Sequence, residues 1–151
     1  MSAPPQIANF RLRPAAMADA PQLAELCGQL GYPSTAAEVE ARLRAIPAGD
    51  EHAIFVAENS EGKLVGCIHV FLMHAVEIDT QAEILGLVVD GDCRSMGVGK
   101  SLLAGAEEWA RERGVRIIGL RSNVIRERAH AFYEREGYTV LKKQKAFRKG
   151  L

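Results

Sequence analysis

Arg94-Ser95-Met96-Gly97-Val98-Gly99-Lys100-Ser101 stands between an apolar run, Ala82 to Asp90, and a stretch of helical periodicity, Lys100 to Arg113. A buried strand feeding a glycine-punctuated loop that opens a helix is a unit of an α/β protein built to hold an anion. Glycines at 97 and 99 let the backbone turn its N–H groups inward. The new helix adds unpaired donors and its positive dipole end. With Arg94 and Lys100 beside them, the expected ligand is a pyrophosphate.

Reading outward from the loop, Leu102, Leu103, Ala106 and Trp109 share one helical face, and Gly114 ends that helix. Val115 to Arg121 reads as a further buried strand. Arg126 to Glu136 reads as a helix with Gly137 at its end, and Tyr138 to Phe147 as a strand or bent strand pair. On the N-terminal side, Ala53 to Glu58 and Leu64 to Met73 form a hairpin across the polar loop Asn59 to Lys63. Phe10 to Arg13 is a first strand. Asp19 with Gln22, and Thr35 with Glu38, have the spacing of capping boxes that open two helices, the first stopped by Gly31-Tyr32-Pro33 and the second by Pro47 and Gly49. The two helices are expected to border a substrate site. Helices, an antiparallel meander and a βαβα ending predict an α+β fold, a mixed and mostly antiparallel sheet with helices on both faces.

The 151 residues suit one domain, residues 1–151, with no repeat or linker to mark a second. Nineteen basic residues balance nineteen acidic ones, so no overall field favours nucleic acid or a membrane surface. Locally the charge is uneven. Glu77, Asp79, Glu83, Asp90 and Asp92 fall in a gap without Lys or Arg between Lys63 and Arg94, whereas the C-terminal stretch is basic. If those regions share a cleft, an anionic cofactor and a cationic substrate would bind side by side; otherwise they are solvated faces. No leader and no membrane-length apolar run is visible, which makes the cytoplasm the expected compartment. Cys27, Cys67 and Cys93 lack disulfide or zinc spacing, and the four histidines lack ligand spacing, so no metal is expected. Of the cysteines, Cys93 stands out, since Arg94 and a helix N-terminus would favour its thiolate. Of the histidines, only His74, before the acidic stretch, suggests a substrate role.

Spacing narrows the ligand. A P-loop would need glycine where Arg94 stands, and a dinucleotide fingerprint would need its third glycine at Leu102. Gly97-x-Gly99 alone is also compatible with an ordinary tight turn.

Arg94, Gly97 and Gly99 match the Arg/Gln-x-x-Gly-x-Gly/Ala motif of the GNAT acyltransferases, and a second motif follows at the right separation. Ser122-Asn123 ends the next strand, and Ala129-x-x-Phe132-Tyr133-x-x-x-Gly137-Tyr138 gives the helix and its exit. The chain therefore resembles that family over nearly its whole length, including Arg11-Leu12-Arg13-Pro14-Ala15 and Asp19 near the start. It departs at Gly91, where many members have proline, and at Ser95, where many have glycine. The resemblance implies acetyl-CoA as co-substrate and a sheet splayed in the middle. The loop amides from Arg94 through Ser95, Met96, Gly97, Val98, Gly99 and Lys100 to Ser101 would hold the pyrophosphate. Leu87, Val88 and Val89 would pair with the pantetheine arm as a further strand, the Leu87 amide would face the thioester carbonyl, and Asn123 would contact the pantetheine.

Acetyl transfer to an amine needs an anchored thioester, a donor to its carbonyl, a neutral amine and a proton for the leaving sulfur. Glu83, four residues before Leu87, is the candidate base. Apolar surroundings make a carboxylate a stronger base, and the position matches a glutamate used by some histone-acetylating members. A solvated or salt-bridged glutamate is the competing reading. Tyr133 is the acid implied by the resemblance; by pattern alone, Phe132-Tyr133 would be packing.

These readings predict an N-acetyltransferase acting on a small, cationic primary amine by direct transfer in a ternary complex, with no cysteine placed to carry the acetyl group. Acetylation of protein lysines or N-termini, and a CoA-binding regulatory module without turnover, are the alternatives. A homodimer is common among families of this kind.

Overall fold

Leu64–Met73 forms the longest strand (β3) of a five-stranded sheet, and its alternating sides separate two helical layers. The computed structural model describes residues 9–94 and 96–151. They fall into two compact units, divided after Leu120.

In the first unit, β1 (Phe10–Pro14), β2 (His52–Asn59), β3, β4 (Gln81–Val89) and β5 (Ile118–Leu120) lie in sequence order. The first four are antiparallel neighbours, and β5 runs parallel to β4. The helices are α1 (Ala20–Leu30), α2 (Ala36–Ala45) and α3 (Val98–Glu112). Cys67 on β3 and Val88 on β4 pack against the cluster formed by Leu23, Leu26 and Val39 of α1 and α2. The adjacent Gly66 meets Val98 and Leu102 of α3. Successive strand residues point to opposite faces, so α1 and α3 cover opposite sides of the sheet. The expected mixed sheet with helices on both faces is the observed one.

Thr35 opens α2 as the spacing predicts: its hydroxyl accepts from the Glu38 N–H at 3.1 Å, and the Glu38 carboxylate accepts from the Thr35 N–H at 3.0 Å. Asp19 behaves differently. It closes a short 3-10 turn, Met17–Asp19, where its carboxylate accepts from the Ala16 N–H at 2.7 Å and from both terminal nitrogens of Arg13 at 2.8 Å. A charged guanidinium outcompetes a helix amide for that carboxylate. Gln22 instead accepts from the Leu64 N–H at 2.8 Å.

Three further boundaries shift. Helix α3 begins at Val98, two residues before the predicted start. Strand β5 is confined to three residues of the predicted Val115 to Arg121. The second unit contains α4 (Glu127–Arg135), and no strand forms over Tyr138 to Phe147. That run offers Val140, Leu141 and Phe147 as large apolar side chains, all exposed, so no buried face sets a strand register. Among the described residues, no helix is long and apolar enough to cross a membrane, and no group of His, Cys, Asp and Glu has a metal-holding arrangement.

Candidate functional site

Strand β4 is the element around which the first unit's candidate residues gather. It pairs with β5 only from Ala82 to Ile84, so its remaining length has no strand neighbour on that side among the described residues. On the other side, His69 opposes Gly86 and Val70 opposes Ile84, which leaves Leu85 as a bulge. The bulge reverses the alternation of the backbone. The Ala82 N–H donates toward β5, to the Ile117 carbonyl at 2.9 Å, whereas the Asp90 N–H donates toward β3, to the Val65 carbonyl at 2.9 Å. An even number of residues separates them, so an unbroken strand would aim both the same way. Counting back from Asp90, the Val88 amide faces β3, and those of Leu87 and Val89 face the unpaired edge. The side chains of Leu87 and Val89 lie on the α3 face, and that of Val88 on the α1 face.

The glycine loop leaves β4 through Asp90. Its carboxylate accepts from the Asp92 N–H at 3.0 Å and pairs with Lys63 at 3.1 Å, while the Gly91 N–H donates to Gln29 of α1 at 2.9 Å. After a 3-10 turn, Gly91–Cys93, comes the exposed Arg94; Ser95 lies outside the described residues. Met96 is 42% exposed. Gly97 is the N-cap of α3 at φ 82°, a left-handed value that glycine adopts without strain. The Ser101 N–H is bonded to the Gly97 carbonyl at 3.0 Å, which leaves the amides of Gly97, Val98, Gly99 and Lys100 without acceptors inside the helix. Gly99 thus belongs to the first turn of α3 rather than to the loop. Cys93 corrects another expectation: burial and the neighbouring Asp90 push its thiol up, and this outweighs the nearby cation Lys63.

Glu83 is 5% exposed. Gln81 Nε2 donates to its Oε2 at 3.4 Å, and the same oxygen lies over Gly119 of β5, where a β-carbon would come within 3.1 Å. His52, Phe71, Glu83 and Gly119 are successive partners across four strands. Directly paired residues share a face, and Cys67 fixes it as the α1 face. Helix α1 ends over the next row, where Leu30 lies against Gly86. His52 Nδ1 and His69 Nε2 are 3.1 Å apart, and the His52 ring stacks on Phe71. Spacing gave no sign of this pair, because cross-strand partners are set by register. His74, the histidine singled out for a substrate role, contacts Glu51 at 2.6 Å and Thr80 at 2.9 Å on the surface, where Glu77 and Asp79 are also exposed.

In the second unit, Tyr133 is half-buried between Phe132 and Tyr138, with ring centroids 5.3 and 6.0 Å away. Burial raises its phenol above the ordinary value, with Arg126 opposing, so the group is protonated at neutral pH. Asn123 Oδ1 accepts from the Ile125 N–H at 3.2 Å, and its backbone carbonyl bonds His130 Nε2 at 2.9 Å. The hydroxyl of Ser122 is buried without a hydrogen-bond partner.

Residues 20–138 match the model of the GNAT acetyltransferase family. The aminoglycoside N(6')-acetyltransferase type 1 of Stenotrophomonas maltophilia is 31% identical over 131 residues, 84% of each chain. The aminoalkylphosphonate N-acetyltransferase of Salmonella typhimurium is 41% identical over 88 residues, 58% of this chain; the match spans about half, 54%, of that relative's length. In fold, the chain is similar to glucosamine-6-phosphate N-acetyltransferase from Arabidopsis thaliana, with a TM-score of 0.81 at 24% identity, covering 93% of this chain and 98% of that one.

Proposed function

The chain belongs to the GNAT acetyltransferase family, and on that premise we propose that it transfers an acetyl group from acetyl-CoA to a primary amine of a small, cationic molecule in the cytoplasm. The observation that carries this reading is the unpaired edge of β4. There the bulge at Leu85 turns out the amides of Leu87 and Val89, and the strand leads through the loop to the first turn of α3, whose amides have no acceptor inside the helix. An extended amide-bearing arm ending in a pyrophosphate has the donors and acceptors to satisfy both. When bound, acetyl-CoA supplies an activated acetyl thioester.

In this reading the α3 N-terminus, with Gly97 as its cap, holds the pyrophosphate alongside Arg94, Ser95, Met96 and Ser101. Leu87, Val88 and Val89 align the arm, and the Leu87 amide donates to the carbonyl as charge develops on its oxygen. Asn123 contributes a further contact to the arm. Glu83 takes a proton from the acceptor ammonium, directly or through water. Tyr133 donates its phenolic proton to the departing sulfur; burial keeps that phenol protonated at neutral pH. The amine attacks the thioester directly within a ternary complex: the C–N bond forms, and the C–S bond breaks. Two relatives whose names specify acetylation of an aminoglycoside and of an aminoalkylphosphonate support a small amine acceptor.

Thiol release measured with acetyl-CoA and a panel of aminoglycosides, aminoalkylphosphonates and lysine peptides tests the proposal. Turnover with a small amine, together with a large loss in Tyr133→Phe, is expected. Turnover with the peptides alone would move the assignment to protein acetylation. Tight acetyl-CoA binding without turnover on any amine would make the chain a CoA-binding regulatory module.

A further inference from the structure

Acetylating an ammonium releases one proton overall, since nitrogen loses two and the leaving sulfur takes one. Glu83 is 5% exposed, so a proton that it accepts needs a path to solvent. We propose that His69 and His52 are that path, carrying the proton from the Glu83 row to the open edge of the sheet beyond β2. This inference rests on the acetyl-transfer reading and on Glu83 as base.

The register places the relay. Glu83 is paired with Phe71, and His69 lies two residues along β3 on the same face, hence diagonal to Glu83. Such neighbours have Cα atoms about 7–8 Å apart, a span that the side chains and one water can bridge. From His69 the next step is explicit, a 3.1 Å contact to His52 Nδ1. His52 lines a cleft of about 450 Å³ together with Ile46 of α2, Trp109 and Arg113 of α3, and Met17. The Phe71 ring, stacked on His52 at 5.4 Å, holds the relay in line.

One hydrogen bond between two imidazole nitrogens contains one proton, so the rings act as donor and acceptor and exchange roles as a proton passes. Burial first, and His52 second, push His69 down to about 4, so it is neutral at working pH and gives up a proton readily. The charged and titratable groups on the pair's face are Glu83 from β4 and the Cys67 and Cys27 thiols from β3 and α1, while Arg113 of α3 lines the cleft with His52 at the open edge. Farther along the same face lies the Arg13–Asp19 pair, whereas α2 presents Leu43 and Ile46. The Cys67 thiol, pushed up to about 12 by burial, stays uncharged. His69 and His52 are positioning residues here, because they act through Glu83.

The test compares the native chain with His52→Gln and His69→Gln, which keep side-chain size and a hydrogen bond but cannot relay a proton. Thiol release at saturating acetyl-CoA is followed from pH 6 to 9. The expected result is a roughly tenfold fall in kcat at pH 6, smaller than the ~10²–10⁴-fold effect of a direct acid or base. The fall shrinks as pH rises and the amine arrives neutral, added imidazole restores part of the rate, and the KM for acetyl-CoA is unchanged. A fall that is equal at every pH and unaffected by imidazole, or no fall, would overturn the relay. If the native chain acetylates no amine, the acetyl-transfer reading fails separately. The relay is then judged from histidine ring resonances: Glu83→Gln should shift those of both His69 and His52, and unchanged resonances would overturn it.

Discussion

Gly119 on β5 stands directly across from Glu83 on β4, and a β-carbon at 119 would lie 3.1 Å from the Glu83 Oε2 atom. The absent side chain is the room that the carboxylate occupies. Gly119→Ala is therefore expected to displace Glu83, lowering kcat by about tenfold or more with acetyl-CoA affinity retained. Calorimetric binding alongside thiol release separates the two, and an unchanged kcat would detach Glu83 from the chemistry.

Glu83→Gln keeps the volume and removes the base. The loss of rate should be greatest at low pH, where the acceptor is an ammonium and must be deprotonated, and should narrow toward high pH. A pH–rate profile parallel to that of the native chain would remove Glu83 as base.

Gly66 fixes how closely α3 approaches β3. A β-carbon there would lie 2.8 Å from Leu102 Cδ1, 2.9 Å from Val98 Cγ1 and 3.1 Å from the Val88 carbonyl. The carbonyl cannot yield as a side chain can, so Gly66→Ala should destabilise the fold by about 1–3 kcal/mol in urea unfolding. It should also weaken acetyl-CoA binding, because Val98 is the first residue of the helix that ends the glycine loop.

Arg13 ties the start of the sheet to α1. Its guanidinium bonds Asp19 at 2.8 Å and Glu58 at 2.6 Å, and it holds both carboxyls below their ordinary values. Depressed carboxyls contribute stability that is present above their unfolded values, near 4, and is lost as pH falls through the folded ones. The native chain should lose stability steadily below about pH 5. Arg13→Met should be less stable at pH 7 and should lose less on acidification, because Asp19 and Glu58 no longer have the cation that depresses them and contributes to the slope. Equal acid slopes in urea unfolding at pH 7 and pH 4 would refute this.

The legible elements were those whose cause is local. The Thr35–Glu38 capping box, β3 from Leu64 to Met73 and the apolar face of α3 follow from residue spacing, and each forms as read. Asp19 departs from its capping-box spacing because its partner, Arg13, approaches from a strand. Tyr138 to Phe147 has strand-forming residues without a buried face to anchor them. At Cys93, burial and Asp90 outweigh the nearby cation Lys63, a balance that depends on distances and not on spacing along the chain.

By itself, the sequence determined the family, through Arg94, Gly97, Gly99, Asn123 and Tyr133 at their spacings, and with it the kind of sheet and the glycine loop. Only the tertiary structure decided which amides of β4 face an open edge, that Glu83 lies over Gly119, and that His52 meets His69. The reason is physical: spacing along a chain fixes helix faces and turns within a few residues, whereas a bulge at Leu85 or a pairing of Phe71 with Glu83 depends on strands brought together from distant parts of the chain.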